Sequence, residues 1–383
     1  MTSGAPAPSG PLRGITVLEM AGLGPAPLAA LMLAQMGARV VRIERTVEQN
    51  FLGLSGNLDY TRHGRSVLKV DLKRPEGVEV ILRLAEKADI LIEGFRPGVM
   101  ERLGLGPDVA QQRNPKLIYG RVTGFGQEGP LAQRAGHDLT YLAYTGILHA
   151  MGHEGGRPAV PLNLIGDYGG GTMFLIAGVL AALIGRSASG TGQVIDAAMM
   201  DGALNLAYPL FAYMAAGQWA DRPASNLLDS GSPFYDTYET ADGRHVAVAC
   251  LEPQFFAEFA RLLPLDPTFC ERQYDRTCWP AMRAAIAARL KKRSRDDWAA
   301  AFEATDACVA PVLSFDEARR HDHNLARRTH IEGGPFPRPA PAPRLSRTRL
   351  VPASRPANEN AVDILRSFCV ADAEDLIADG VAG

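Results

Sequence analysis

No charge of one sign dominates this chain. Forty basic residues stand against 42 acidic ones, a formal net charge of −2, so its overall field favours neither nucleic acid nor an anionic membrane as a partner. Cysteine is scarce, and its five positions (Cys250, Cys270, Cys278, Cys308, Cys369) are odd in number and widely spaced. Without a CxxC pair or a Cys/His spacing of ligand type, they argue against a disulfide framework and against a metal site. A long hydrophobic run is missing too: MFLIAGVLAALIG from Met173 falls short of the roughly 20 residues a bilayer span needs. The opening MTSGAPAPSG has neither the basic nor the apolar stretch of a secretion signal. The expectation is a soluble, cytoplasmic protein in a reducing compartment.

What is present is length and order. The 383 residues exceed the roughly 250–300 at which single cores stop growing, so two domains are expected. Residues 14–20 (GITVLEM), 38–44 (ARVVRIE), 89–95 (DILIEGF), KLIYGRV and QVIDAAM read as strands. Helix-like segments alternate with them: LAALMLAQMG, a stretch opening on Pro75, GVMERLGL, 172–185 and a long pattern through Tyr213. Repeated β-α-β order predicts an α/β fold with a parallel sheet covered by helices. Near residue 222 the composition changes. YDTYETADGRHVAVA predicts a hairpin turning at Asp242-Gly243, with helices near 253–263, 280–292 and 294–304 and capping boxes at Ser294/Asp297 and Ser314/Glu317: a smaller α+β domain. The proline-rich 335–356 reads as an extended strap, and 362–377 as a helix that packs after it.

Two features suggest ligands. Gly22, Gly24 and Glu44 imitate a dinucleotide fingerprint, but the third glycine is replaced by Pro27, and Pro25 sits in the loop, so pyrophosphate binding is disfavoured. Arg42, Arg45, Lys73, Arg96 and Arg102 lie at or just beyond strand ends, where open α/β sheets bind ligands, and could converge on several phosphates.

The run PLRGITVLEMAGLGPAPLAALMLAQMGARVVRIER, then DILIEGFRPGVMERLGLGP, LIYGRVTGFGQEGP, AGHDLTYLAYTGILHAMG, PLNLIGDYGGGTMFL, GQVIDAAMMDG, FYDTYETADGR, EPQF and DACVAPVLSFDEA resemble the family III CoA-transferase superfamily and, within it, the α-methylacyl-CoA racemases. The resemblance implies a large CoA-binding Rossmann-like domain over 1–200, a small domain over 225–325, a strap and helix over 335–383 returning to the large domain, and an interlocked homodimer. It implies that Arg45, Val70, Leu72, Lys73, Gly94, Arg96 and Arg102 hold the nucleotide end of CoA. His137 and Asp167 fall on its acid/base positions, with Asp138 beside the histidine and Glu252 as its carboxylate partner. It implies no metal and no cofactor other than the CoA carried by the substrate. In the transferase branch Asp167 instead forms an acyl anhydride.

The chemistry suits these residues. Moving the hydrogen α to a thioester carbonyl from one face to the other needs two bases, and an unperturbed histidine titrates near pH 6.5. By the resemblance His137 faces the proton of the S substrate and Asp167 that of the R substrate. Amides of Asp167 and the following GGG, at a helix start, are expected to stabilise the enolate, the glycines letting substrate approach. GHD, GDYGGG and EPQF together favour racemase over transferase. The expected substrate is a 2-methylacyl-CoA of unspecified tail, lined by MAGLG, LAYTGILHAMG and MMDG. His149, His153, His321 and His323 receive no role.

Overall fold

The computed structural model describes residues 10–47, 58–353 and 359–383. Its chain falls into two compact units: Met1–Thr145, Pro161–Leu206 and Arg328–Gly383 form one, Gly146–Val160 and Ala207–Arg327 the other. The segment Gly146–Val160 thus groups with the second unit although it lies inside the 1–200 span, and the second unit begins its main run at Ala207.

The first unit is built on six strands: β1 (Thr16–Met20), β2 (Arg39–Glu44), β3 (Ser66–Lys69), β4 (Ile90–Glu93), β5 (Ile118–Thr123) and β6 (Val194–Ala198). They pair in parallel in the order β3-β2-β1-β4-β5-β6. Helices α1 (Pro25–Gln35), α2 (Pro75–Lys87), α3 (Val99–Arg102), α4 (Pro107–Arg113), α5 (Asp138–Ala143), α7 (Met173–Ser189) and α8 (Met199–Leu206) belong to the same unit, and α6 (Ile147–Ala150) to the second. TVLEM and RVVRIE are almost continuously buried, as strands covered on both faces must be. One apolar layer joins Leu18, Val41, Leu68, Ile81 and Leu84 to Ile364, Leu365 and Leu376 of the returning C-terminal segment. The other joins Val17, Ala29, Leu33, Ile92 and Ile118 to Leu175 and Val179 of α7.

Edge strand β3 has no counterpart among the strands read from sequence: four residues, SVLK, are too few for a period to show. The helix read over 172–185 begins earlier, because LIGDYGGGT (Leu164–Thr172) is π-helical and runs straight into α7. The combined helix Leu164–Ser189 is 26 residues and, by length and composition alone, could span a membrane. Here it buries Leu175, Ile176, Val179 and Ala182 in the second apolar layer. The pattern through Tyr213 is two helices, α8 and α9 (Tyr208–Ala215), because Pro209 opens α9 and cannot donate back into the preceding turn. The 362–377 pattern is likewise two helices, Ala361–Ser367 and Ala373–Ala378, separated by Cys369 at φ 64°. That turn lets Phe368 and Val370 both point into the core.

In the second unit β7 (Tyr235–Glu239), β8 (His245–Ala249) and β9 (Val309–Pro311) form an antiparallel sheet in sequence order. Gly243 takes φ 74° in the expected turn. Helix α10 (Pro253–Leu262) and helices Trp279–Leu290 and Arg295–Phe302 enclose an aromatic core of Phe234, Phe256, Phe259, Trp279, Trp298 and Phe302. Both capping boxes, at Ser294/Asp297 and Ser314/Glu317, are formed.

Candidate active site

Asp167 sits in the π-helical turn, a local geometry that often marks functional positions. The turn is seated on the β1–α1 loop: Thr172 Oγ1 donates to Pro25 O at 2.9 Å, and a Cβ at Gly24 would stand 3.4 Å from Asp167 Oδ2. Gly24 itself has φ 70°, which suits glycine. The dinucleotide-like loop therefore borders the Asp167 carboxylate. Asn163, four residues upstream, donates from Nδ2 to Asp167 Oδ2 at 3.1 Å. Burial raises the pKa of Asp167, the Asn163 amide lowers it, the Asp138 charge adds to the rise and His137 opposes it.

His137 and Asp138 open α5 and face differently: His137 is exposed, Asp138 buried. The His137 backbone is clamped by Thr140, whose Oγ1 accepts the His137 N–H at 2.9 Å, while the Thr140 N–H donates to His137 O at 2.8 Å. Asp138 turns inward, and its Oδ1 accepts the Asp167 N–H at 2.8 Å. One hydrogen bond thus ties the histidine-bearing helix to the aspartate-bearing turn. Behind them the Tyr141 hydroxyl donates to Gly136 O, and the ring lies edge-on to Phe125. Burial raises the Tyr141 pKa, Asp167 adds to the rise and Arg96 lowers it. Arg96 is therefore within electrostatic reach of the Tyr141 hydroxyl.

This arrangement corrects the expected role of GGG. The Asp167 amide is committed to Asp138. Gly170 and Gly171 are buried; a Cβ at Gly170 would overlap Met199 O, and one at Gly202 would overlap Gly170 O. These glycines let the π-turn and α8 pack backbone to backbone. Gly170 and Gly171, being buried, are not a surface a substrate approaches.

The basic set divides. Arg42 is interior: its guanidinium pairs with Glu19 and, at 2.9 Å, with Glu44, and Arg62 also bonds Glu44. Arg42 therefore leaves the phosphate set, and Glu44 is occupied by arginines instead of standing ready for a ribose. Arg45 follows β2, Val70, Leu72 and Lys73 follow β3, Gly94 and Arg96 follow β4, and Arg102 ends α3. All lie at the carboxyl end of the sheet. Arg45, Lys73, Gly94, Arg96 and Arg102 are exposed, Leu72 is half-buried and Val70 is buried.

Glu252 lies in the second unit at the N-cap of α10. Its carboxylate makes no capping hydrogen bond, and the residue is exposed. His149 Nε2 stands 3.8 Å from Asp221, and His321 Nδ1 accepts the His323 N–H at 3.3 Å. Asn163 and Tyr141 escaped the sequence reading. Asn163 had a signal in its spacing, since residues four apart on a helix share a face.

The sequence profile of CoA-transferase family III matches residues 12–360. The α-methylacyl-CoA racemase of Mus musculus is 44% identical over 361 residues, 93% of each chain. That of Homo sapiens is 40% identical over 363 residues, again 93% of each chain. The crystal structure of the hypothetical protein Rv3272 from Mycobacterium tuberculosis superposes with a TM-score of 0.80 at 26% identity, covering 94% of this chain and 99% of that one. With the family profile spanning nearly the whole sequence, the chain belongs to CoA-transferase family III.

Proposed function

We propose that this protein is a racemase that interconverts (R)- and (S)-2-methylacyl-CoA thioesters by 1,1-proton transfer between two bases, His137 and Asp167. The observation that carries this reading is the pairing of two chemically unlike bases on backbone segments joined by the Asp138–Asp167 hydrogen bond. The two mammalian relatives named as racemases support it. A free aspartate is a feeble base for so weak an acid as an α-hydrogen. Burial of Asp167 raises its proton affinity and brings it closer to the task.

His137 serves the S face and Asp167 the R face. Since the Asp167 amide is taken, the enolate oxygen falls to the opening amides of α5, at Asp138 and Leu139, which no helix can satisfy internally. Arg45, Lys73, Arg96 and Arg102, with Val70, Leu72 and Gly94, hold the nucleotide. No cofactor enters beyond that CoA. Met173, Ile184 and Leu206 are exposed in the first unit, and no residue of the apolar α9 is buried in the second. Such surfaces suit a homodimer. The assignment to cytoplasmic lipid metabolism rests on the branched acyl substrate and on five cysteines that are all free.

The test is incubation of one enantiomer of a 2-methylacyl-CoA in heavy water without a second acceptor. Deuterium at the α-carbon and appearance of both enantiomers are expected. No α-deuteration there, with transfer of CoA once a carboxylic acid acceptor is added in a second incubation, would assign the protein instead to transferase chemistry, with Asp167 as nucleophile.

A further inference from the structure

Residues 381–383 run antiparallel to the end of β3 and the residues that follow it. The Lys69 N–H donates to Gly383 O at 2.7 Å, the Gly383 N–H returns to Lys69 O at 2.9 Å, and the Asp71 N–H donates to Val381 O at 2.9 Å. Val70 pairs across with Ala382. β3 is the edge of the parallel sheet, so these bonds satisfy backbone groups that an open edge leaves exposed. The contact is a packed one: Val70, Val381 and Ala382 are buried in the layer that contains Leu68 and Leu376.

The approach is set by Gly380 at φ 68°. Its N–H closes on Ile377 O at 3.0 Å and the next, of Val381, on Leu376 O at 2.9 Å, a helix ending that favours glycine. Arg74 adds a bond from Nη1 to Asp379 O at 2.8 Å. On the opposite side the Val70 N–H donates to Glu44 O at 2.8 Å, directly before Arg45. The backbone at 70–71 is therefore held between the end of β2 and this returning tripeptide, and Leu72 and Lys73 emerge from that grip.

We infer that residues 381–383, aimed by Gly380, are positioning residues for the nucleotide end of CoA. They fix the backbone from which Val70, Leu72 and Lys73 meet the nucleotide. This rests on the reading of those residues and Arg45 as the nucleotide set. A binding segment held in its bound conformation spends less affinity on ordering. The nucleotide is remote from the reacting carbon, so loss of that order weakens binding without slowing the chemical step.

The experiment compares a 2-methylacyl-CoA with the corresponding 2-methylacyl-pantetheine thioester, which lacks the nucleotide, and adds calorimetric titration with free CoA. Two variants are used: deletion of residues 381–383, and Gly380→Ala, whose Cβ meets nothing within 4 Å and so acts through backbone conformation alone. A rise of about tenfold in KM for the acyl-CoA and a matching rise in Kd for CoA are expected, with kcat on either substrate near that of the parent and kcat/KM on the pantetheine thioester unchanged. Equal loss on both substrates, or unchanged CoA affinity, would overturn the inference. If the deletion variant does not fold, Gly380→Ala decides. Arg45→Ala and Lys73→Ala are the controls. If neither weakens CoA binding, the nucleotide reading fails and the inference fails with it; if they do weaken it and Gly380→Ala does not, only the inference falls.

Discussion

Asp138 Oδ1 accepts the backbone N–H of Asp167 at 2.8 Å, and a Cβ on intervening Gly166 would overlap that same oxygen. The aspartate adjoining the histidine thus fixes the backbone of Asp167, the proposed opposite base. Asp138→Ala should lower deuterium exchange from the R enantiomer by about a hundredfold, the scale of a small misplacement of a reacting group, and depress exchange from S less. Asp138→Asn keeps an acceptor oxygen and should recover most of the loss. Equal losses from both enantiomers in Asp138→Ala would remove the positioning role.

The burial that raises the Asp167 pKa has a signed effect on stability. The folded state keeps this proton at pH values where the unfolded chain has released it. The penalty is absent below the ordinary aspartate pKa of about 3.9, grows as pH rises towards the folded pKa, and is full above it. Asp167→Asn should therefore raise Tm at pH 8, with the gain shrinking as pH falls towards about 4. A variant less stable than the parent at pH 8, with a deficit that disappears in acid, would show that burial is not the governing influence.

Arg42 and Arg45, three positions apart, should fail differently. Removal of Arg42 leaves the fully buried Glu19 with the buried Arg65, at 2.7 Å, as its remaining arginine partner. Breaking a buried pair outright costs about 3–5 kcal/mol, and the surviving Arg65 pair keeps the loss below that. Arg42→Ala should show that loss in urea unfolding. Arg45→Ala should leave the unfolding midpoint alone and raise KM for the acyl-CoA. Reversal of the two phenotypes would undo the division of the basic set.

Gly202 has no room for a methyl group because Gly170 O occupies the position. Gly202→Ala must separate α8 from the π-turn. Overpacking of this kind costs about 1–3 kcal/mol, visible as a lower urea midpoint. Because the turn bears Asp167, exchange from the R enantiomer should fall as well. An unchanged midpoint would mean that the two backbones part easily.

Assembly is checked by dilution. An interlocked dimer cannot separate without opening the chain, so sedimentation at nanomolar protein should still show two copies. An active monomer at that concentration would remove the proposed architecture.

The sequence made some levels legible and hid others. Apolar runs such as RVVRIE showed the strands because a strand covered on both faces has little choice of residue. SVLK was too short to carry a period, and the edge of the sheet went unseen. Composition at residues 42 and 45 is identical, yet one guanidinium is interior and the other exposed; the difference depends on Glu19, on a neighbouring strand. GDYGGG suggested free amides and an open glycine surface, and the structure shows neither at Asp167, Gly170 or Gly171. The glycines answer to α8 and the Asp167 amide to a side chain 29 positions away, relationships that no local pattern displays.

Ser66 Oγ bonds the Glu359 carboxylate across 293 residues of chain, and the apolar layer under β3 is completed by Ile364, Leu365, Phe368 and Leu376. A ribosome must therefore translate the whole of Ala207–Arg327 before the first unit can close. At ordinary elongation rates that delay is on the order of ten seconds. Throughout it the nascent sheet has an uncovered greasy flank and an unpaired edge, the combination that invites aggregation. Apart from Gly146–Val160, already translated, the second unit is one run from Ala207 to Arg327, and its three-stranded sheet is formed wholly within that run. Synthesis thus delivers the later-encoded unit's core before the earlier-encoded one is sealed.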